Sequence, residues 1–377
     1  MDARRQVIDR SGRVGWFRPA WGAAAYDPAV TDGDLRFGLV GFGFGGRYFH
    51  APLIAGAAGC ALAGVVTRSE ARRAEVAADH PGVPVFDSVD ALAAAGVEAV
   101  TVCTPAATHT AVTDDVLRRG LPVVCDKPFA LDAVAARRTV ELAAGLGVPL
   151  SVYQNRRWDS DLLTVRSLLD SGELGDVLRF ESSFERWAPD PAPPASGAGL
   201  LRDFGSHLVD QALYLFGPAD QVWAETHEAA PELEDDVRIV LRHRGGMRSH
   251  LSGAWRQGAP APRFRVTGTR GSFVVTAAMD GQEEALVSGR TPTTEGQDWG
   301  REPETAWGTL RRGDDVRAVP SERGRWVVFY ERFARAVRGE GPVPVDPWDA
   351  VATATVLDAA RRSAAEGRSV DIPEVSR

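Results

Sequence analysis

The sequence predicts an α/β protein whose first half is a doubly wound parallel sheet and whose second half is a separate, strand-rich unit. Three observations predict it. The chain has 377 residues, more than the roughly 250 to 300 at which single cores stop growing. From residue 35 to about 154, apolar runs of strand length alternate with helix-compatible stretches, the pattern of a parallel sheet covered on both faces. Beyond 154 the apolar runs are divided by Gly and Pro turns and the alternation stops.

Composition narrows the function classes. With 44% hydrophobic and 25% charged residues, the chain reads as soluble and globular. A net charge of −8 speaks against nucleic acid as a partner. No run approaches the roughly 20 apolar residues of a membrane span. Cys60, Cys103 and Cys125 are widely spaced and form no CxxC pair, which suggests a reduced, cytoplasmic setting without a disulfide framework or a metal site. Residues 1–34 carry Arg4-Arg5, but charged and turn residues interrupt any export-type apolar core. They are expected to form a flexible extension, with an arm reaching a neighbouring subunit through Trp16 and Trp21 as the alternative.

The first element is LRFGLV, a strand that runs into GFGFGG, residues 41–46. Gly41, Gly43 and Gly46 have the G-x-G-x-x-G spacing that permits a tight turn and brings backbone N–H groups to a pyrophosphate at a helix N-terminus. Phe42, Phe44 and Gly45 fall inside that turn and are counted with the cofactor site. Strands follow at 61–67, 83–86, 97–104, 121–126 and 148–154, separated by stretches such as ATHTAVTDDVLRRG and LDAVAARRTVELAAG. This is a Rossmann-type dinucleotide-binding unit, expected over 35–153, with a second unit over 154–377.

The end of the second strand bears on the cofactor. Folds that bind NAD usually place a carboxylate there for the ribose hydroxyls. Here the residues are Thr67-Arg68-Ser69. Arg68 can pair with a 2′-phosphate and Ser69 can donate to it, so NADP(H) is expected over NAD(H). The alternative is that Glu70 takes the ribose and Arg68 is a solvated turn residue.

Lys127, in CDKPF, is the only lysine in a chain with 43 basic residues. A GC-rich coding bias explains the arginines but not the survivor. An ammonium is a compact donor whose pKa can be pulled towards neutrality. Lys127 follows the run LPVVCD, so it lies at the carboxyl end of a strand, the edge where open α/β sheets bind ligands.

A second polar group occurs in LLRDFGSHLVDQALYLFGP. Phe204, Leu208, Ala212 and Leu215 or Phe216 form one helical face, and Gly217-Pro218 stops the helix. Asp203, His207, Asp210, Gln211 and Tyr214 share another. Asp203 and His207 stand four apart, so the carboxylate is expected to orient the imidazole and raise its basicity, as a general base requires. Asn155, Arg156 and Trp158 follow the last strand of the first unit and are candidates for substrate hydroxyls or the nicotinamide end, with plain helix-entry residues as the equal alternative. Trp187 could stack on a sugar ring, with the core as the safer expectation.

Taken together, GFGFGG, TPAATHTA, VVCDKPFAL, DFGSHLVDQALYLFG and VPVDPWDAVATATVLDAARRS resemble the glucose-fructose oxidoreductase, inositol dehydrogenase and MocA (Gfo/Idh/MocA) family over roughly residues 35–373. YQNRRWDSDLLTVRSLL and GELGDV are similar in particular to its NADP-dependent scyllo-inositol dehydrogenase branch. The resemblance implies that Lys127, Asp203 and His207 are catalytic and also meet the substrate. It implies that Pro128 follows a cis bond, that Thr104, Pro105, His109, Asp126 and Lys127 join the cofactor site, and that the second unit has a largely antiparallel open sheet used for homodimer or homotetramer formation. Asp126 replaces the family's usual Glu, and the Pro-rich stretch 188–199 departs from the branch pattern, which bears on substrate identity. The expected activity is reversible hydride transfer between nicotinamide and a secondary alcohol of a cyclic polyol or sugar. A reductase of a linear or aminosugar ketone, and a non-catalytic NADP- or sugar-sensing regulator, are the alternatives.

Overall fold

In the computed structural model the described residues are 5–8, 14–17, 33–188, 199–230, 233–277 and 279–376. Near the start, β1 (Arg5–Ile8) and β2 (Val14–Phe17) pair antiparallel in a two-stranded sheet of their own. These paired strands lie within the segment expected to be a flexible extension. Trp16 lies on β2, whereas Trp21 lies outside the described residues.

The first large sheet is wholly parallel. Its strands are β3 (Leu35–Val40), β4 (Cys60–Val66), β5 (Val85–Phe86), β6 (Ala99–Val102), β7 (Val123–Cys125) and β8 (Leu150–Val152), in the order β5-β4-β3-β6-β7-β8. The order reverses between β3 and β6, so the carboxyl ends of those strands form the crevice in which such sheets take ligands. The crossover helices start where the sequence offers caps. Ser88 accepts from the Ala91 N–H at 3.1 Å and Asp132 from the Ala135 N–H at 2.8 Å. The helix Ala133–Leu146 ends at Gly147, whose φ of 65° is left-handed.

The second sheet has nine strands: β9 (Val177–Glu185), β10 (Ala219–Ala230), β11 (Leu233–His243), β12 (Arg248–Ala254), β13 (Phe264–Gly268), β14 (Ser272–Val275), β15 (Gly308–Arg312), β16 (Asp315–Val319) and β17 (Val370–Asp371). Every neighbouring pair is antiparallel except β9 with β12. Residues alternate along β9: Phe180 and Phe184 enter a core with Phe204 and Leu208 of the helix Leu200–Phe216, while Glu181, Ser183 and Glu185 line the other face.

The C-terminal segment returns to the first sheet. The helix Val327–Val337 sets Phe329, Tyr330 and Phe333 against Phe37 and Tyr153, and the Tyr330 hydroxyl bonds to His50 Nδ1 at 2.6 Å. The last long helix, Pro347–Glu366, serves both sheets. Its Ala350, Val351 and Ala354 pack with the first, and its Val356, Leu357 and Ala360 with the second. The two sheets divide near residue 154, but their packing does not.

Candidate active site

Lys127 stands two residues beyond β7, and the bond joining it to Pro128 is cis, as the resemblance implies. Its backbone N–H is held by Asp126 Oδ1 at 2.8 Å. Its ammonium donates to the carboxylate of Asp203, which comes from the other sheet's covering helix. Asp203 occupies the first turn of that helix, where the positive end of the helix dipole favours a carboxylate. Both side chains keep about a fifth of their surface open, at 21% and 20%.

This arrangement corrects the expected dyad. Asp203 spends its carboxylate on Lys127, and His207 Nδ1 is buried without a hydrogen-bond partner among the described residues. Helical spacing makes Asp203 and His207 neighbours, yet an ammonium arriving from the opposite sheet is the stronger partner for a carboxylate. The basicity of His207 is accordingly lowered and not raised. Burial, then the cations Lys127, Arg156 and Arg263, hold its pKa well below the usual 6.5, so the ring is neutral at pH 7.

The wall beyond His207 is built of paired charges and aromatic faces. Arg156, 5% exposed, pairs with Asp159 at 3.4 Å and with Glu283, and its guanidinium lies over Phe184 at 4.9 Å. Arg186 joins Glu283 at 3.0 Å and covers the same ring from 5.0 Å. Burial would raise the Glu283 pKa, but Arg156 and Arg186 bring it down to about 2. Phe184 stacks on Phe204 at 3.7 Å and lies 6.4 Å from the His207 ring. Arg263 is buried and donates to Gln211 Oε1 at 3.0 Å on the His207 helix. Arg186, Glu283, Phe184 and Arg263 carry no motif that singles them out in the sequence.

Of the other expected substrate residues, Trp158 packs in the core. Trp158, 6% exposed, packs edge-on against Phe329 in the core under the first sheet, and Asn155 is also buried. Trp158 follows its strand into that core, beside Tyr153 and Phe329. Trp187 is 66% exposed and so is not a core residue.

On the cofactor side the glycine turn fits its neighbours closely. A Cβ on Gly41, whose φ is 102°, would stand 2.3 Å from the Cys103 carbonyl oxygen, and one on Gly46 would stand 2.2 Å from that of Gly41. Gly43 faces open space, with Arg72 Nη2 the nearest group at 3.9 Å from its added Cβ. The chain then enters the helical turn Gly45–His50. Phe42 is 1% exposed and belongs to the core, so only its backbone can meet a cofactor, whereas Phe44 is exposed beside Tyr48 and Phe49. Thr67 Oγ1 accepts from the Ser69 N–H at 3.3 Å, and Ser69 Oγ caps the next helix by accepting from the Arg72 N–H at 3.5 Å. Its hydroxyl hydrogen stays available to a phosphate. Arg68 is exposed, and neither Arg68 nor Arg72 makes an ion pair among the described residues. Arg72 was missed, although it stands one helical turn beyond Arg68.

Thr104 and Pro105 lie at the rim after β6, with Thr104 Oγ1 accepting from the Thr108 hydroxyl at 2.8 Å. Asp126 sits beneath the glycine turn, where the Cys103 thiol donates to Oδ2 at 3.1 Å and His50 Nε2 approaches it at 3.3 Å. His109 is not at the cofactor face. It is 2% exposed and bridges two backbone carbonyls behind the rim.

Residues 35–154 match the oxidoreductase family with an NAD-binding Rossmann fold, GFO_IDH_MocA, and residues 162–274 match the GFO/IDH/MocA C-terminal domain. The scyllo-inositol 2-dehydrogenase (NADP(+)) IolW of Bacillus subtilis is 30% identical over 348 residues, covering 89% of this chain and 95% of its own. The chain belongs to the Gfo/Idh/MocA oxidoreductases. The inositol 2-dehydrogenase of Rhizobium meliloti is similar at 29% identity over 90% of this chain and 99% of its own. The solved structure of yvaA from Bacillus subtilis superposes with a TM-score of 0.83 at 30% identity, over 90% of this chain and 99% of that one. This Gfo/Idh/MocA protein is thus an NAD(P)-binding oxidoreductase built around two large sheets. No helix among its described residues is long and apolar enough to cross a membrane.

Proposed function

We propose that this oxidoreductase is an NADP(H)-dependent dehydrogenase that interconverts a secondary alcohol and a ketone on an inositol-like cyclic polyol or a sugar. The observation that carries the reading is the Lys127–Asp203 pair beside a neutral, buried His207 at the carboxyl edge of the parallel sheet.

Two features of the chain fit a dinucleotide: a glycine turn that tolerates no Cβ at Gly41 or Gly46, and Arg68 and Arg72, without an ion pair among the described residues, at the end of the second strand where a 2′-phosphate would need them. When bound, the nicotinamide supplies or accepts the hydride. His207 takes the hydroxyl proton as the alcohol becomes a ketone, since its neutral ring keeps a lone pair at pH 7. Lys127 donates a hydrogen bond to the same oxygen and stabilises the negative charge that develops there. Asp203 holds the ammonium in place, and Asp126 fixes the backbone of the lysine. Polyol or sugar as the substrate class draws support from the inositol dehydrogenases among its relatives. Among the described residues, the face of the nine-stranded sheet bearing Glu181, Glu185, Arg238 and Arg265 has no helix upon it, and it suits a homodimer or homotetramer.

The test is nicotinamide absorbance with NADP⁺ and NAD⁺ against inositols and common sugars. Turnover with NADP⁺ and an inositol supports the reading. Tight NADPH binding with no turnover on any polyol or sugar would overturn the substrate class.

A further inference from the structure

We propose that His109 is a doubly protonated imidazolium at neutral pH that clamps the Lys127-Pro128 segment to the end of β6, making it a positioning residue for the Lys127 ammonium. The second half of this proposal rests on the role given to Lys127 above; the charge on His109 does not.

Two bonds fix the charge of the His109 ring. His109 Nδ1 lies 2.8 Å from the Pro128 carbonyl oxygen, and Nε2 lies 2.6 Å from that of Thr104. A carbonyl oxygen only accepts, and a neutral imidazole carries one N–H. Either neutral tautomer would therefore set a nitrogen lone pair against an oxygen lone pair, in a site only 2% exposed. Turning the ring over offers no escape, since it would put carbon atoms where the nitrogens now sit and lose both bonds. Only the imidazolium satisfies both partners.

A buried cation needs a counter-charge. Asp126 supplies it from the end of β7. Burial opposes its ionisation, but His50, His109 and Lys127 together hold its carboxyl far below the ordinary range. Cys125, also at the end of β7, is the other titratable group facing the ring. Burial lowers the His109 pKa, while Cys125, Asp126 and the Pro128 carbonyl raise it, to about 9.

The clamp joins two points that matter together. β6 and β7 are adjacent parallel strands. Thr104 is two residues past β6, at the cofactor rim, and Pro128 is the residue after Lys127. Fastening one carbonyl to the other sets where the lysine stands relative to that rim. The folded value lies above the unfolded 6.5, so the stability that the clamp contributes is fully present below pH 6.5, and the clamp itself opens as pH rises through about 9.

The experiment needs no substrate. In protein labelled with ¹⁵N-histidine, ring-nitrogen NMR at pH 8 should reveal one imidazole protonated on both nitrogens, and that signal should vanish in His109→Gln. A His109 ring with one bare nitrogen at pH 8 would overturn the charge assignment. Labelling with ¹⁵N-lysine instead gives a single amide signal, from Lys127. It should titrate with a midpoint of about 9 in the wild type and lose that step in His109→Gln. A Lys127 signal indifferent both to pH and to the substitution would overturn the positioning role even if the imidazolium is found. If the polyol reading above is correct, His109→Gln should also lower kcat by about 10- to 100-fold with KM for NADP⁺ little changed. Absence of polyol turnover would count against that reading alone, because both NMR outcomes would stand.

Discussion

The Lys127 ammonium is ion-paired with Asp203 across the seam between the two sheets, and that pair sits one helical turn before His207. Lys127→Arg should fold normally, because the charge and the Asp203 pairing survive, yet turnover should fall by about 10²- to 10⁴-fold, since a planar guanidinium cannot reproduce a point donor on the reacting oxygen. Steady-state kinetics beside far-UV circular dichroism checks this. Full activity would remove Lys127 from the chemistry.

Asp203→Asn keeps the shape and removes the anion. A free ammonium beside His207 would disfavour the imidazolium further, so alcohol oxidation should slow through kcat by about 10-fold or more while NADPH binding is unchanged. An effect confined to KM would mean that Asp203 binds substrate and does not hold the lysine.

The pH profile follows from His207. Its pKa is depressed by burial and by Lys127, Arg156 and Arg263, so the ring stays an acceptor as pH falls below 6.5. In the oxidation direction, kcat/KM should therefore hold to lower pH than an exposed histidine would allow, and His207→Asn should abolish that limb along with most activity. An acid limb at or above pH 6.5 in the wild type would contradict the assignment.

Stability on the acid side should be governed in part by His243. It bonds the Gly217 carbonyl at 2.9 Å and Ser249 Oγ at 2.8 Å, and burial pulls its pKa down to about 4. Below pH 6.5 the unfolded chain takes up a proton that the folded ring refuses until about pH 4, so folding weakens as pH drops through that window, by up to about 3 kcal/mol. Denaturant melts of His243→Gln should have a flatter dependence between those values.

Cofactor preference should reside in Arg68 and Arg72. Replacing both with Gln should weaken NADPH binding by about 10-fold or more, the worth of lost charge-assisted bonds, and leave NADH binding nearly unchanged. Equal weakening of both cofactors would assign these arginines to the pyrophosphate instead.

Much of this molecule is readable in its sequence because backbone requirements leave plain marks. Gly41 and Gly46 cannot be other residues, and the parallel strands are continuous apolar runs. The helix of Asp203 and His207 announces its two faces and its stop at Gly217. What spacing cannot reveal is partnership across sheets. Lys127 and Asp203 are 76 positions apart, and their attraction overrides the local Asp203–His207 neighbourhood. Polar residues beside a motif are also ambiguous. Arg157, unremarked among the substrate candidates, forms a bidentate pair with Asp210 at 2.8 and 2.6 Å that ties two elements together, while Trp158 next to it is core.

The hydroxyl of Tyr330 on His50 has a consequence for how the protein is made. The ribosome delivers the whole parallel sheet long before it delivers Phe329, Tyr330, Phe333, Ala350 and Val351, the side chains that cover it. During synthesis the nascent first half therefore carries an uncovered apolar surface beside its own nucleotide cradle, and it reaches a closed state only when the last tenth of the message is read. A fragment ending at residue 154 would release that surface into solution and self-associate, whatever its affinity for a dinucleotide.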